Sequence, residues 1–171
     1  PRQPNYVTDP QPGPERGLIA TPDGMLENEY LRVSLNPNGT FSLTHKESGH
    51  VFKDLHYFTN SGSIGNAHLD RRPVRDTEVT SLGCPARMTM VESSELRGTW
   101  MIELTFQIPT RATNDGRERL RSMYDMPITT WLTLRKGSRR LDIRTRIFNQ
   151  ARDHRLIAMF PTDLGCNEVA V

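Results

Sequence analysis

Residues 100–108 run Trp-Met-Ile-Glu-Leu-Thr-Phe-Gln-Ile, and a large apolar side chain occupies every second position of this stretch. A strict alternation of apolar and polar residues is typical of a β-strand that buries one face and exposes the other. A slip of one residue would expose all five apolar side chains, so the pattern also specifies the register of the strand. The stretch therefore predicts a long strand that covers one side of a hydrophobic core.

Alternating runs of the same kind lie on both sides of this stretch. They fall at Leu31–Leu35, Phe41–Leu43, Ala86–Met90, Ile128–Leu134 and Leu141–Ile147. Turn residues separate the runs, and Asn36-Pro37-Asn38-Gly39 ends in a glycine that can adopt a positive φ. No long segment has the 3.6-residue period of an amphipathic helix. Many short strands joined by turns predict an all-β protein, a large antiparallel β-sandwich.

The first 24 residues differ in composition from the rest of the chain. Six of the twelve prolines lie there, which is typical of an extended linker. We therefore expect residues 1–24 to be a linker and residues 25–171 to be the β-sandwich domain, with folded sequence beginning near Met25. The chain opens with Pro1 and no initiator methionine, so we expect it to be a fragment of a longer protein.

Charge and composition argue against several classes of function. The formal net charge is +2, and the many arginines are scattered among acids, as in Arg117-Glu118-Arg119, which disfavours nucleic-acid binding. No apolar run is long enough to span a membrane, and no signal-peptide pattern opens the chain. Cys84 and Cys166 form no metal-binding or redox motif. Two idle thiols suit a reducing compartment, so we expect a cytoplasmic location before a secreted one.

The familiar catalytic motifs are absent from the sequence. Glycoside hydrolysis needs two carboxylates that face each other across the bond. Four acids qualify by residue type alone, namely Asp54, Asp70, Asp76 and Asp163. The histidines His45, His50 and His56 lie in separate segments and lack the spacing of metal ligands. We therefore assign no catalytic residue, no metal ligand and no cofactor to this chain.

The segment Asn60–Pro73 breaks the alternating pattern and is rich in glycine and polar residues. Glycines permit a close approach of the backbone to a ligand, and arginine and carboxylate groups form paired hydrogen bonds with vicinal hydroxyls. The candidate substrate-binding residues are His68, Asp70, Arg71 and Arg72. The alternative is a turn-rich loop in which Asp70 pairs locally with Arg71 or Arg72.

Two further polar segments receive structural interpretations. Residues 110–122 are predicted to form a solvated loop between two long strands. The segment Asn149–Leu156 is predicted to be a charged turn that enters a buried strand. In that turn we expect Asp153 to accept backbone N–H groups, and His154 and Arg155 to brace the start of the strand.

Three segments, taken in order, resemble the C-terminal β region of family 38 glycoside hydrolases, the α-mannosidases. The first is Leu26–Val33 together with Asn36–Thr40, which is similar to the entry strand and turn of that family. The second is Asn60–Asp76, which ends in Arg-Pro-Val-Arg-Asp. The third is Asn149–Leu156 followed by Phe160-Pro161-Thr162.

The resemblance implies the accessory C-terminal β-sandwich domain of a retaining α-mannosidase that hydrolyses terminal α-mannosides. In that family the aspartate nucleophile and a zinc ion lie in an N-terminal catalytic domain, so the resemblance implies zinc in the parent enzyme and none in this chain. It also implies a supersandwich like that of galactose mutarotase, which packs on the catalytic domain and helps to wall the active site. The expected partners are this N-terminal catalytic domain and an α-mannoside, with no nucleic acid or membrane, and with a homo-oligomer of the parent left open.

The sequence departs from the family within Ser61–Pro73. Several relatives carry an aromatic hydroxyl near the substrate in the matching loop, whereas here His68 and Asp70 lie in that neighbourhood. Two other functions stay open. A free carbohydrate-binding module would need an aromatic platform, for which Trp100 and Trp131 are the tryptophans. A structural domain would use exposed strand edges to form oligomers.

Overall fold

The alternating stretch at residues 100–108 lies inside a strand of thirteen residues. In the computed structural model, which describes residues 17–66, 68, 69 and 71–162, β9 (Arg97–Pro109) pairs antiparallel with β10 (Met123–Arg135) along its whole length. All five apolar side chains of the stretch are buried. The inward-facing side chains of β10 are buried as well, namely Met126, Ile128, Thr130, Leu132 and Leu134. The strand predicted from the period of two is therefore confirmed.

The long pair β9–β10 forms the centre of a four-stranded antiparallel sheet. Its outer strands are β8 (Ala86–Ser93) beside β9 and β11 (Asp142–Ile147) beside β10. The short 3-10 helix at Ser81–Gly83 precedes β8. Across the described part of the chain, no helix has the length and apolarity needed to cross a membrane.

Two antiparallel sheets lie against the four-stranded sheet, and both are smaller because they contain fewer residues, although one has more strands. The first has five strands in chain order: β1 (Ala20–Thr21), β2 (Met25–Glu27), β3 (Leu31–Leu35), β4 (Phe41–His45) and β5 (His50–Leu55). The second has three strands in the order β12 (His154–Met159), β6 (Tyr57–Gly62) and β7 (Val79–Thr80). The predicted all-β fold, an antiparallel sandwich, is confirmed.

The apolar face of β9–β10 is divided between two hydrophobic cores. One half, with Trp100 and Leu132, packs against Leu26, Val33 and Phe41 of the five-stranded sheet. The other half packs against Phe58 of β6, and its members are Leu104, Phe106, Ile108, Met126 and Ile128. The same two strands thus hold both smaller sheets in place.

The folded part of the chain begins earlier than predicted. Strand β1 lies within the residues assigned to a linker, and Ile19 and Ala20 are buried in the first core. A Cβ atom at Gly98 would lie 2.7 Å from the Ala20 backbone nitrogen, so β1 approaches β9 where no side chain intervenes. The start expected near Met25 is therefore too late. Residues 1–16 lie outside the described part, so the linker itself stays a prediction.

The strand expected to be buried after the charged turn is only half-buried. Strand β12 is an edge strand, and Phe160 just beyond it is 45% exposed. The alternating apolar set of β11 shows the same effect. Ile143 and Ile147 lie opposite the buried Leu132 and Ile128, yet they are 36% and 39% exposed because β11 is also an edge strand.

The junction between β5 and β6 joins the two smaller sheets and contains a buried histidine. His56 has a left-handed backbone, with φ at 67°, and is only 4% exposed. Its ring lies among Phe41, Phe58 and Phe160, and its Nε2 lies 3.0 Å from the Thr145 hydroxyl of β11. Burial lowers the pKa of His56 to about 4.

The buried His56 predicts a specific pH dependence of stability. Its pKa is about 4 when folded, below the ordinary value of 6.5, so the stabilisation is complete above pH 6.5 and is lost as the pH falls to about 4. The loss over this window amounts to about 3 kcal/mol in the free energy of unfolding. We expect His56→Asn, which tolerates the left-handed backbone, to flatten this dependence in urea titrations. The control His50→Asn replaces an exposed histidine, and equal slopes in both variants would contradict the assignment.

A second prediction concerns the turn between β3 and β4. Gly39 has the predicted positive φ, 81°, and a Cβ atom there would lie 3.0 Å from Ala86 Cβ and 3.1 Å from Ile102 Cγ2. Gly49 has a similar φ of 70° but open space around it. Both Gly→Ala variants incur the backbone strain of about 1–2 kcal/mol. We expect Gly39→Ala to lose about 1 kcal/mol or more beyond Gly49→Ala in urea denaturation, because it also overpacks the core. Equal losses would show that the turn does not pack tightly on β8 and β9.

Candidate functional site

Three connecting segments meet at one end of the sandwich. Segment 63–78 joins β6 to β7, segment 110–122 joins β9 to β10, and segment 148–153 joins β11 to β12. We call these three segments the loop end. Backbone hydrogen bonds tie them together: Ser63 N–H donates to Asp153 O at 2.9 Å, Arg75 N–H to Arg117 O at 2.8 Å, and Arg152 N–H to Thr110 O at 2.9 Å.

Three of the candidate substrate-binding residues, His68, Arg71 and Arg72, lie on a small hairpin within residues 63–72, described at 63–66, 68, 69, 71 and 72, in the first of these segments. Ile64 N–H donates to Arg71 O at 2.8 Å, and the Asn66 side-chain oxygen caps the turn by accepting from His68 N and Leu69 N. Gly65 is required here, because a Cβ atom would overlap the Leu69 carbonyl oxygen. His68, Arg71 and Arg72 are exposed on the hairpin. Asp70 lies outside the described residues, so its role stays a prediction.

The start of the predicted loop is a strand. Asn60, Ser61 and Gly62 belong to β6, and the side chain of Asn60 is fully buried. Strand β12 pairs with this part of β6, so His154 lies opposite Gly62 and Leu156 lies opposite Asn60. Two of the three family-like segments are therefore neighbours in space.

A polar cleft of about 360 Å³ separates the hairpin from the second loop. Ile64 and Arg71 lie on one wall, and residues 111–116 and Asp153 form the rest. The Arg111 guanidinium donates to Asn114 Oδ1 at 2.8 Å. The Thr113 hydroxyl and the Arg117 N–H both donate to the Asp115 carboxylate. These hydrogen bonds, that of Thr113 more than that of Arg117, hold the pKa of the carboxyl below its ordinary value. The cleft therefore combines guanidinium donors with a charged carboxylate, groups that suit hydrogen bonding to sugar hydroxyls.

The segment predicted to be a solvated loop contributes a buried arginine instead. The Arg119 side chain is 5% exposed. Its guanidinium donates to Asn60 Oδ1, and also to the Asn60 carbonyl oxygen at 3.4 Å and the Thr77 carbonyl oxygen at 3.3 Å. Burial lowers the pKa of Arg119, and the nearby Asp76 carboxylate opposes that shift. The prediction of a solvated loop is wrong at this position because Arg119 bonds to a strand 59 residues earlier in the chain.

Hydrogen bonds continue from Arg119 to the third loop. Since Asn60 Oδ1 accepts from Arg119, Asn60 Nδ2 donates to His154 Nδ1 at 2.7 Å. The proton of the neutral ring then lies on Nε2, which faces Asn149 Oδ1 at 3.1 Å. Burial lowers the pKa of His154, and the positive charge of Arg119 lowers it further, so both favour this neutral form. The expected bracing by His154 is confirmed, and Asp153 accepts a backbone N–H from Ala112 at 3.3 Å as predicted.

Asp76 closes the base of the hairpin. Its Oδ2 accepts from Gly62 N–H at 2.9 Å, while its buried Oδ1 has no hydrogen-bond partner and lies 3.8 Å from Arg119 Nη1. Gly62 and Pro73 meet at the same place, and a Cβ atom at Gly62 would lie 2.7 Å from the Pro73 ring. The two chain ends of the hairpin are therefore held close together.

The comparison with known families shows which family the chain belongs to. Residues 26–170 match the family model of the glycosyl hydrolases family 38 C-terminal domain. The chain belongs to this family. The predicted family is thereby confirmed, and two of the three family-like segments contribute to the loop end described above.

Known relatives of this family 38 domain are longer proteins. The chain is 28% identical over 172 residues to a protein of Halalkalibacterium halodurans named "Putative mannosylglycerate hydrolase", covering 92% of this chain and 19% of the relative. It is 30% identical to an alpha-mannosidase from Enterococcus faecalis V583, with a TM-score of 0.83 over 86% of this chain and 18% of that one. A second family 38 protein from Enterococcus faecalis is 30% identical, with a TM-score of 0.81, over 84% and 19%. The chain thus spans about a fifth of the length of these relatives.

The described residues of this family 38 domain do not fit a zinc site. Within 17–66, 68, 69 and 71–162, no three His, Cys, Asp or Glu side chains are grouped to hold a metal ion. His45 and His50 lie opposite each other on β4 and β5, where the ring of His45 bonds to the Ser48 hydroxyl and the ring of His50 packs on Phe52. His56 is buried elsewhere, beside the Thr145 hydroxyl. Cys84 is a free thiol, and Cys166 lies outside the described part.

Proposed function

We propose that this chain is the accessory domain of a retaining α-mannosidase, which packs its loop end on an N-terminal catalytic domain and helps to wall the active site. The observation that carries the proposal is the convergence at the loop end. Family-like segments that are about ninety residues apart in sequence meet there through the pairing of β6 and β12. Membership of family 38 and the small share of each relative that the chain spans support a role within a larger enzyme.

The names of the relatives suggest the substrate of the parent enzyme. One relative is named a mannosylglycerate hydrolase and another an alpha-mannosidase. Both names point to a mannoside, so we propose that the parent hydrolyses terminal α-mannosides. The zinc ion and the nucleophile expected in family 38 would come from the catalytic domain, because the described residues of this chain offer no ligand set.

The exposed hairpin supplies the groups that we propose contact the substrate. His68, Arg71 and Arg72 project from it, and Arg71 shares the polar cleft with Asp153. Guanidinium groups donate to hydroxyl oxygens, and carboxylates accept from hydroxyl protons, so the two kinds of group together suit vicinal hydroxyls. In this proposal these side chains bind and orient the sugar, and Asp70 would add a further acceptor.

The two tryptophans give little support to a free carbohydrate-binding module. Trp100 is buried in the first core, where its Nε1 donates to Met25 O at 3.3 Å. Trp131 is half-buried on the outer face of the four-stranded sheet, with the guanidinium carbons of Arg144 and Arg146 at 5.7 and 5.4 Å from its ring centre. Neither ring offers the open, flat face on which a sugar would stack.

The activity test uses the intact polypeptide that contains this chain and the isolated 171-residue chain. On an aryl α-mannoside we expect turnover by the intact protein and none by the isolated chain. We expect His68→Ala to lower kcat/KM about tenfold in the intact protein while its melting temperature is unchanged, because the side chain is exposed. The control His50→Ala replaces an exposed histidine of β5 and should change neither quantity.

Each result of this test has a separate meaning. Turnover by the isolated chain would contradict the accessory role, and an inactive intact protein would contradict the α-mannosidase assignment. A His68→Ala variant with normal kinetics and lower stability would show that His68 has a structural role only.

A further inference from the structure

The buried guanidinium of Arg119 bonds to the chain on both sides of the hairpin 63–72. Arg119 donates to the carbonyl oxygens of Asn60 and Thr77, at 3.4 and 3.3 Å. Asn60 precedes the hairpin and Thr77 follows it, so the two contacts bracket the whole segment that carries His68, Arg71 and Arg72. The planar fork of arginine can bond to several acceptors at once, which a lysine ammonium on a flexible stem does less well.

The neighbours of Arg119 in sequence behave differently. The Arg117 side chain is 79% exposed, and Arg121 is exposed as well. Of these three arginines, only Arg119 turns its side chain inward. An isolated antiparallel β-bridge between the backbones of Ala112 and Arg119 closes the loop that carries it. The partners of the Arg119 guanidinium in the described part of the chain are Asn60, Thr77 and Asp76, all in or beside the loop end, so its bonds act locally there.

The buried carboxylate of Asp76 requires a positively charged side chain at residue 119. Its Oδ1 is buried without a hydrogen-bond partner, and the Arg119 guanidinium at 3.8 Å is the cation that compensates it. The other oxygen of Asp76 accepts from Gly62 N–H and so fixes the strand at the point where the hairpin begins. Loss of Arg119 would leave this carboxylate uncompensated and weaken the base of the hairpin.

We propose that Arg119 is a positioning residue, which holds the hairpin 63–72 in one geometry so that its side chains meet the sugar. The inference rests on the proposed function for the part that concerns the sugar. It assigns no chemical step to Arg119, which acts through the backbone of Asn60 and Thr77 and through Asp76.

The test compares three variants of the intact polypeptide: Arg119→Met, Arg119→Lys and the control Arg121→Met. We expect backbone amides of residues 63–72 to exchange with deuterium about tenfold faster in Arg119→Met, while those of β9 exchange as before. Arg119→Lys keeps the charge beside Asp76 but not the fork, so we expect near-normal thermal stability with a faster-exchanging hairpin. Arg121→Met should match the wild type in every readout.

Kinetics on an aryl α-mannoside complete the test. We expect both Arg119 variants to show kcat/KM reduced by about tenfold or more, with a rise in KM forming part of that loss, because a mobile hairpin orients the sugar less well. Unchanged exchange in residues 63–72 would overturn the proposal. So would a general rise in exchange across β9, or failure of both variants to fold, since either result would give Arg119 a role in the whole fold. If the wild type hydrolyses no mannoside, the proposed function fails, while the exchange data still decide whether Arg119 positions the hairpin.

Discussion

The pairing of β9 with β10 is the constraint on which the rest of the structure depends. Their registered pairs run from Arg97 with Arg135 to Pro109 with Met123. One face of this strand pair packs against the five-stranded sheet at one end and against the three-stranded sheet at the other. A slip by one residue would turn that face to solvent and remove the support of both smaller sheets at once. The strand pair also determines where the loop end lies, because β9 ends and β10 begins there.

The sequence predicted those parts of the fold that depend on local periodicity. Trp100 to Ile108 lies in a strand with its apolar side buried, and Gly39 has the positive φ that its turn requires. The early start of the folded chain was missed because Ile19 and Ala20 are only two residues of a short strand beside a proline-rich segment. The exposure of Ile143 and Ile147 was also beyond prediction, since an alternating pattern does not tell an edge strand from a central one.

The sequence indicates only the exposed part of the loop end. The density of Gly, His and Arg pointed to the hairpin that carries His68, Arg71 and Arg72. The buried network under it was missed because its members look ordinary in sequence: Arg119 lies in a run of alternating Arg and Glu that is typical of a solvated loop. Its partners Asn60 and Thr77 are about fifty residues away, and only the tertiary fold brings them to it.

The structure suggests a division of roles between rigid and exposed parts. The hydrogen-bonded chain from Arg119 through Asn60 and His154 to Asn149 joins the second and third segments of the loop end. Arg119 also donates to the Thr77 carbonyl oxygen, which connects the first segment. The hairpin above it presents side chains to its surroundings. This arrangement, a supported loop on a rigid sandwich, is common where binding groups must be held in place.

The central claim is that the loop end of this domain lies at the sugar site of the intact enzyme. Hydrogen–deuterium exchange of the intact polypeptide, with and without a saturating non-hydrolysable α-mannoside, tests it most directly. We predict that the ligand slows exchange in residues 63–72 and 111–116 and leaves β8 unchanged. Protection confined to other parts of the polypeptide, with none in those two segments, would contradict the account.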